Sequence, residues 1–299
     1  MTENCGLVAL VGPPNAGKST LINQAVGAKV SIVTHKAQTT RTRVRGVALK
    51  GDCQIVFVDT PGIFSSPKRR LERSMVQAAW DAVQDCDLVL FLHDSNRGPD
   101  DARTLHVLER LKHSRTPCAL VLNKIDSVRR ETLLGLAAKL NEAAAFEQTF
   151  MISAKKGDGV TDVLDWLCER LPEGPWLYPE DQLSDLSDRL MAAEVTREKL
   201  FLNLHEELPY SLTVETESWE VFNNGDIRIE QTIYVERDAQ KRIALGAQGA
   251  TIRKVRAQAQ QELEALLETK VHLFLFVKVR ERWVDDPSRY RDWGLDYDI

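Results

Sequence analysis

Between residues 5 and 154 the chain returns five times to a short, nearly continuous apolar run: CGLVALVG, CQIVFVDT, CDLVLFLHD, CALVLNK and TFMISA. Runs of this length suit strands buried on both faces, and the amphipathic segments between them suit crossover helices. The pattern predicts a doubly wound α/β domain with a mostly parallel sheet over 1–171. Pro172, Pro175 and Pro179 then interrupt any helix and mark 172–187 as a linker. From 188 to 299 the period changes. A helical stretch over 188–207 precedes two alternating segments, YSLTVETE and IRIEQTIYVE, with the turn signal NNGD between them. DAQKRIAL runs into GAQG, Ile252 to Leu266 follow at helical spacing, and VHLFLFVKV alternates. The order helix, strand, strand, helix, glycine loop, helix, strand describes a second, α+β domain.

Each strand of the first domain ends in a polar motif. GPPNAGKST, opening at Gly12, has the glycine, four residues, glycine, lysine, serine spacing of a phosphate loop. Pro13 and Pro14 have no N–H to offer, but they precede the donors and stiffen the loop. The amides of Asn15, Ala16, Gly17, Lys18, Ser19 and Thr20 would curl around a β-phosphate at a helix N-terminus. Lys18 would reach the β- and γ-phosphates and Ser19 would ligate magnesium. In DTPG, Asp59 is placed to reach the magnesium shell through water and the Gly62 amide to contact a γ-phosphate. Thr40 is the choice for a second magnesium-ligating hydroxyl, with Thr39 as the alternative. Lys18, Thr40 and Gly62 are thus the candidate catalytic residues, and Ser19, Thr40 and Asp59 the candidate metal residues.

In NKID, Asp126 would accept two hydrogen bonds from guanine, whereas adenine offers no matching pair and would leave the carboxylate unsatisfied. Asn123 would brace the base and the neighbouring loop, and Lys124 would lie along the ring. In SAK, Ser153, Ala154 and Lys155 complete the site, with the Ala154 amide facing the guanine oxygen. Each tetrapeptide alone also reads as a loop or cap; four in this order at strand carboxyl ends read as one site. Position 63 is Ile, which cannot orient an attacking water as a glutamine could, so intrinsic turnover is expected to be slow. Arg41, Arg43 and Arg45 alternate on an expected edge strand and read as a solvated face.

A net charge of -5 leaves any nucleic-acid contact to a local patch. Lys241, Arg242, Arg253, Lys254 and Arg256 around Gly246, Ala247, Gln248 and Gly249 provide one, and a GxxG turn lets a nucleic-acid backbone approach closely. The cysteines sit singly at 5, 53, 86, 118 and 168, as reduced thiols do, and the histidines, His35 and His93 among them, show no ligand spacing. No signal-peptide pattern and no apolar run near ~18 residues is present, which predicts neither secretion nor membrane spanning.

GPPNAGKSTLIN, KAQTTRTR, DTPGI, NKID and SAKKG, followed by YPEDQLSD and AAEVTREKLF, resemble the Era family of bacterial GTPases. The resemblance runs from residue 5 to the C-terminus. Pro13 and Ala16 depart from residues more usual in that loop, and PGIFSSPKRR lacks a histidine common after the hydrophobic residue. The resemblance implies a GTPase domain joined to a type II KH domain: a protein that binds GTP or GDP with magnesium, hydrolyses GTP, and binds the 3′ end of small-subunit ribosomal RNA during 30S assembly. It further implies a cytoplasmic monomer, with peripheral contact at the cytoplasmic face of the inner membrane left open. Asn15 carries two readings, a brace of the loop or, as in small GTPases with asparagine here, a potassium ligand. Two other functions stand beside this one: a GTPase whose C-terminal module docks to a protein or membrane without touching RNA, and a metabolic kinase using the phosphate loop.

Overall fold

A computed structural model of the chain describes residues 3–34, 36, 39, 44–63, 67, 69–205 and 208–299. They fall into two compact units, the first running to Asp185 and including Tyr290–Ile299, the second Leu186–Arg289.

In the first unit β1 (Asn4–Val11) leads through the phosphate loop into α1 (Lys18–Val26). Next come β2 (Val44–Lys50), β3 (Cys53–Asp59), α2 (Arg70–Asp85) and β4 (Leu88–Asp94). They are followed by α3 (Ala102–Leu111), β5 (Cys118–Asn123), α4 (Arg130–Ala143), β6 (Thr149–Ile152) and α5 (Val160–Cys168). The sheet order is β2-β3-β1-β4-β5-β6, parallel except for β2, which pairs antiparallel with β3. Alternation along β1 explains the two cores. Val8 and Leu10 join Leu21, Ile22, Val163 and Leu167 beneath α1 and α5. Ala9 and Val11 join Ala79, Val83, Val107 and Leu140 beneath α2, α3 and α4. The sheet is apolar on both faces because helices cover both. The connection from β1 runs to one side and that from β3 to the other, so the strand order reverses beside β1, where open α/β sheets hold ligands.

The segment expected as a linker, 172–187, is built into the first unit as far as Asp185. Gln54 Nε2 donates to Tyr178 O at 2.8 Å while its Oε1 accepts from the Leu177 and Tyr178 amides at 2.9 and 3.0 Å. Val47 N donates to Leu183 O, and Arg45 N to Asp185 Oδ1, both at 2.9 Å. The prolines stop a helix but not strand-like pairing, and the outer edge of β2 needs partners. Residues 290–299, expected with the second domain, lie with the first unit. Tyr290, Trp293 and Leu295 are buried there, and the Tyr297 ring lies 4.3 Å from the Arg70 guanidinium of the same unit.

The second unit comprises α6 (Asp188–Asn203), β7 (Leu212–Val221), β8 (Ile227–Val235), α7 (Asp238–Leu245), α8 (Ala250–Leu267) and β9 (Val271–Val279). β7 is antiparallel to β8, and β9 parallel to β8 on its other side. α6 is shorter than expected because Leu204 turns extended and buries its side chain. β7 is longer than its alternation indicates, since an irregularity between Thr216 and Ser218 resets which face each residue takes.

Candidate nucleotide site and candidate RNA interface

The phosphate loop is held in shape by positive φ at two places, Asn15 at 66° and Gly17 at 102°. Gly12 is also obligatory, because a Cβ there would lie 2.4 Å from Leu92 O. Both prolines have work in this loop. Pro13 O accepts the Ala16 amide at 3.3 Å and Lys18 Nζ at 3.3 Å, and Gly12 O accepts Lys18 Nζ at 3.1 Å. Pro14 lies so close to Gly62 that a Cβ on that glycine would meet Pro14 Cα at 2.9 Å. The DTPG motif therefore packs on the phosphate loop, where the Ile63 amide also donates to Gly12 O at 3.3 Å. Lys18 is buried, which lowers its pKa from 10.5 to about 8, with the Asp59 carboxylate working the other way.

Asp59, fully buried at the end of β3, accepts from Ser19 Oγ and Ser31 Oγ on the same carboxylate oxygen, each at 2.8 Å. A hydroxyl and a carboxylate brought together beside a lysine are the hard oxygen donors that magnesium takes, so this corner fits that ion. Ser31 carried no sequence signal. It is fixed by Asn23, whose Oδ1 accepts the Val30 and Ser31 amides at 3.0 and 2.9 Å and whose Nδ2 donates to Ser31 O at 2.7 Å. Thr40, the expected second hydroxyl, lies outside the described residues, as do His35, Arg41 and Arg43. Thr39, the alternative, closes a local turn: its hydroxyl donates to Lys36 O at 2.7 Å and lies 2.6 Å from Thr34 Oγ1.

At the base end, Asn123 joins three loops. Its Nδ2 donates to Ala16 O at 2.9 Å, and its Oδ1 accepts the Lys124 amide at 2.8 Å and the Ala154 amide at 3.0 Å. The Ala154 N–H, expected to face the guanine oxygen, thus has a protein acceptor. Asp126 Oδ1 accepts from Ser153 Oγ at 2.8 Å, and that hydrogen bond holds its carboxyl below the usual range. Lys124, at φ 66°, turns its ammonium onto Asp94 Oδ2 at 2.7 Å. Burial raises the Asp94 pKa, but hydrogen bonds from Lys124 and Asn96 outweigh it and the net shift is downward. Asp94 closes β4 in the run LHD, and its position at a strand carboxyl end was the only signal for it. Lys18, Ser19, Thr34, Asn123, Asp126 and Lys155 line one cleft of about 480 Å³, where Thr20 and Gly62 also lie. That volume is within the roughly 300–1,000 Å³ of small-molecule sites. Ile63 is fully buried among Val11, Val58 and Val76 and points away from this chemistry.

His93 is buried between Thr104 Oγ1 and Arg97 O, both at 3.1 Å, and burial lowers its pKa. Arg45, on the edge strand β2, donates to Tyr178 Oη at 3.1 Å. Among the described residues no helix is long and apolar enough to cross a membrane.

In the second unit GAQG joins α7 to α8 through three positive φ angles: Gly246 at 73°, Gln248 at 50° and Gly249 at 76°. Gly246, with ψ 174°, adopts a conformation open essentially only to glycine, and a Cβ there would lie 2.2 Å from Thr251 Oγ1. Gly249 accepts the close approach of Arg253, whose Nη1 donates to Gln248 O at 2.7 Å. Lys241 and Arg242 lie on α7, and Arg253, Lys254 and Arg256 on α8, so the expected basic residues do flank the turn, with Ala247 inside it.

Comparison with known proteins agrees with this division. Residues 7–124 match the family described as 50S ribosome-binding GTPase, and residues 207–284 match the KH domain family. The chain is 62% identical over 293 residues to GTPase Era of Sinorhizobium medicae, covering 98% of this chain and 94% of that protein. It is 55% identical over 305 residues to GTPase Era of Dinoroseobacter shibae, with 99% and 98% covered. A crystal structure of Era in complex with MgGDPNP and nucleotides 1506–1542 of 16S ribosomal RNA superposes with TM-score 0.92 at 36% identity, covering 99% of this chain and 100% of that one. Aquifex aeolicus Era, as a variant bound to GDP.AlF4-, superposes with TM-score 0.90 at 36% identity over the same shares.

Proposed function

The chain belongs to the GTPase Era family, and on that premise we propose that it is a GTP-driven switch whose second unit binds the 3′ end of small-subunit ribosomal RNA and assists assembly of the 30S subunit. The observation that carries the nucleotide half is Asn123, one side chain tying the phosphate loop, the NKID loop and the SAK loop around a single cleft. Asp126 in that cleft is ionised and so presents acceptors to a guanine edge. Lys18 and the amides that follow it grip the phosphates. Magnesium, when bound, neutralises charge developing on the β- and γ-phosphate oxygens. Ser19 and Asp59 would hold it, with Ser31 fixing the carboxylate and Thr40 supplying a second hydroxyl. Asn15, turned to φ 66° in the loop, is the residue that would take a potassium ion beside the phosphates.

The RNA half rests on the GAQG turn and its basic flanks, and on the relative captured with 16S ribosomal RNA. GTP orders the segments around Thr40 and Gly62 and changes how the RNA-binding surface is presented; hydrolysis releases it. The reaction takes place in the cytoplasm.

A fluorescent oligoribonucleotide carrying the 3′ end of small-subunit ribosomal RNA, titrated with protein loaded with GDP or a non-hydrolysable GTP analogue, tests both halves. Tighter binding in the GTP-analogue state than in the GDP state is expected, with a scrambled oligonucleotide binding more weakly than either. Equal affinity in the two nucleotide states would remove the coupling. Unchanged RNA affinity after Gly246→Asp with Gly249→Asp would turn the second unit into a docking module without RNA contact.

A further inference from the structure

We propose that the outward face of β9 is a second single-stranded RNA surface of the second unit, a platform on which unpaired bases stack over Phe274 and Phe276 while their phosphates lie against Lys270, Lys278 and Arg280. The inference rests on the reading that this unit binds RNA, and it names a surface apart from the GAQG turn. β9 runs at the edge of its sheet, paired along one side to β8. Alternation divides its side chains between two faces. Val271, Leu273 and Val277 are buried in the clusters that α6 and α8 complete through Leu200, Val255, Ala259 and Leu263. His272, Phe274, Phe276 and Lys278 therefore point away from the helices. Phe274 and Phe276 are 42% and 48% exposed, and Phe222 nearby is 36% exposed. A contiguous set of half-open aromatic rings on one sheet face is a mark of an interaction site.

The charges around these rings select the partner. Phe274 and Phe276 follow one another on the same face, about 7 Å apart along the strand. Lys270, Lys278 and Arg280 continue the same alternation on either side, and all three are exposed. Arg228 on β8 lays its guanidinium 5.1 Å from the Phe274 ring centroid. His272 carries the patch on to Phe222, their rings 6.1 Å apart, and Tyr234 of β8 stands opposite Lys278. The acidic groups beside the rings are already engaged. Glu230, opposite Phe274, pairs with Arg228, and Asp226 Oδ2 lies 3.0 Å from His272 Nε2. Lys278 has no acidic partner among the described residues. Rings set between cations offer flat faces to bases and positive charge to phosphates, as sheet-borne stacking platforms do. An apolar protein partner would instead have to bury the Lys278 ammonium without a counter-charge, which is costly. Stacking accepts any base, so this face adds affinity without reading sequence.

The test uses the full chain and two fluorescent RNAs, an unstructured oligouridylate and the oligonucleotide carrying the 3′ end of small-subunit ribosomal RNA. Phe274→Leu with Phe276→Leu keeps apolar side chains at both exposed positions and should weaken binding of both RNAs by roughly tenfold or more. Gly246→Asp with Gly249→Asp should weaken chiefly the ribosomal sequence. Lys278→Gln should flatten the slope of log affinity against log salt by about 0.7, the share of one phosphate contact on a single strand. Irradiation of the parent chain with RNA containing 4-thiouridine should attach nucleotide to the tryptic peptide spanning 271–278. Parental affinity of the phenylalanine double variant for both RNAs, or crosslinks confined to peptides of the GAQG turn, would overturn the proposal and leave the GAQG reading standing. So would a double variant that loses binding to anionic lipid vesicles while holding RNA as the parent does, which would give the face to a membrane surface. A parent chain that binds neither RNA would remove both readings.

Discussion

The side-chain amide of Asn123 occupies the space that a β-carbon on Gly17 would need: a Cβ built there lies 2.1 Å from Asn123 Nδ2. The residue that bridges the base-side loops to the phosphate loop is thus fitted against the glycine that starts α1. Gly17→Ala should pay twice, for left-handed backbone at about 1–2 kcal/mol and for displacing the amide from Ala16 O at roughly 1 kcal/mol or more. In an Asn123→Ala background the second term is already lost, so the same substitution should cost only the backbone term. Urea unfolding of the nucleotide-free chain in the four combinations measures the coupling, and strict additivity would deny the contact its role.

Asp126→Asn replaces a group that only accepts hydrogen bonds with one that also donates. GDP affinity should fall on the order of 100-fold or more, and xanthosine diphosphate should gain, because its ring presents an acceptor where guanine presents a donor. Calorimetric titration with both nucleotides reads the switch. Unchanged guanine preference would remove Asp126 from base recognition.

Lys18 makes stability depend on pH in a stated direction. Its folded-state pKa of about 8 lies below the ordinary 10.5, so between those values the unfolded nucleotide-free chain binds more protons than the folded one. Stability from this residue therefore rises with pH across that window, and below it the cost of burying the charge is fully in force. A shift of this size corresponds to at most roughly 3 kcal/mol. The difference in unfolding free energy between the parent chain and Lys18→Met should move in the parent's favour by up to that amount from pH 7 to pH 10. Denaturant unfolding across that range, without nucleotide, is the measurement.

Much of this site was legible because its chemistry is local in sequence. A phosphate loop, DTPG, NKID and SAK each end a strand, and apolar runs reveal strands without any knowledge of their order. What was hidden is held by tertiary contact. Ser31 and Asn23 support Asp59 from positions with no motif, and Asp94 receives Lys124 across two strands. The prolines at 172, 175 and 179 mark the end of helical structure, but they give no sign that the chain then lies along β2 through Val47 and Arg45. The aromatic residues 290 to 297 read as a tail because nothing in their spacing names the unit against which they bury.

The two glycines of the GAQG turn should not respond alike. At Gly246 a Cβ would meet Thr251 Oγ1 at 2.2 Å and the Thr251 amide nitrogen at 2.8 Å, in a conformation that other residues avoid. At Gly249 the nearest atom is Arg253 Nη1 at 3.3 Å, the end of a flexible side chain. Gly246→Ala should cost about 3 kcal/mol and Gly249→Ala about 1–2 kcal/mol, as read by thermal unfolding. Equal losses would place the constraint in the backbone angle alone.

Ile63 follows DTPG where a glutamine could hold the attacking water, and its burial decides what such a glutamine would do. The side chain is fully buried with Val11, Val58, Val76 and Ala79, on the α2 side of the sheet. A glutamine introduced there would either bury an amide without partners, at about 1–3 kcal/mol, or withdraw from the core and leave a cavity. Neither route brings the amide to the γ-phosphate while Gly62 stays pressed on Pro14 and the Ile63 amide stays on Gly12 O. Ile63→Gln should therefore lower the unfolding free energy by about 2–4 kcal/mol and leave single-turnover phosphate release no faster than in the parent chain. A variant that hydrolyses GTP tenfold faster would show that this backbone can turn its side chain toward the nucleotide, and the slow turnover expected from the sequence would then rest on residue type alone.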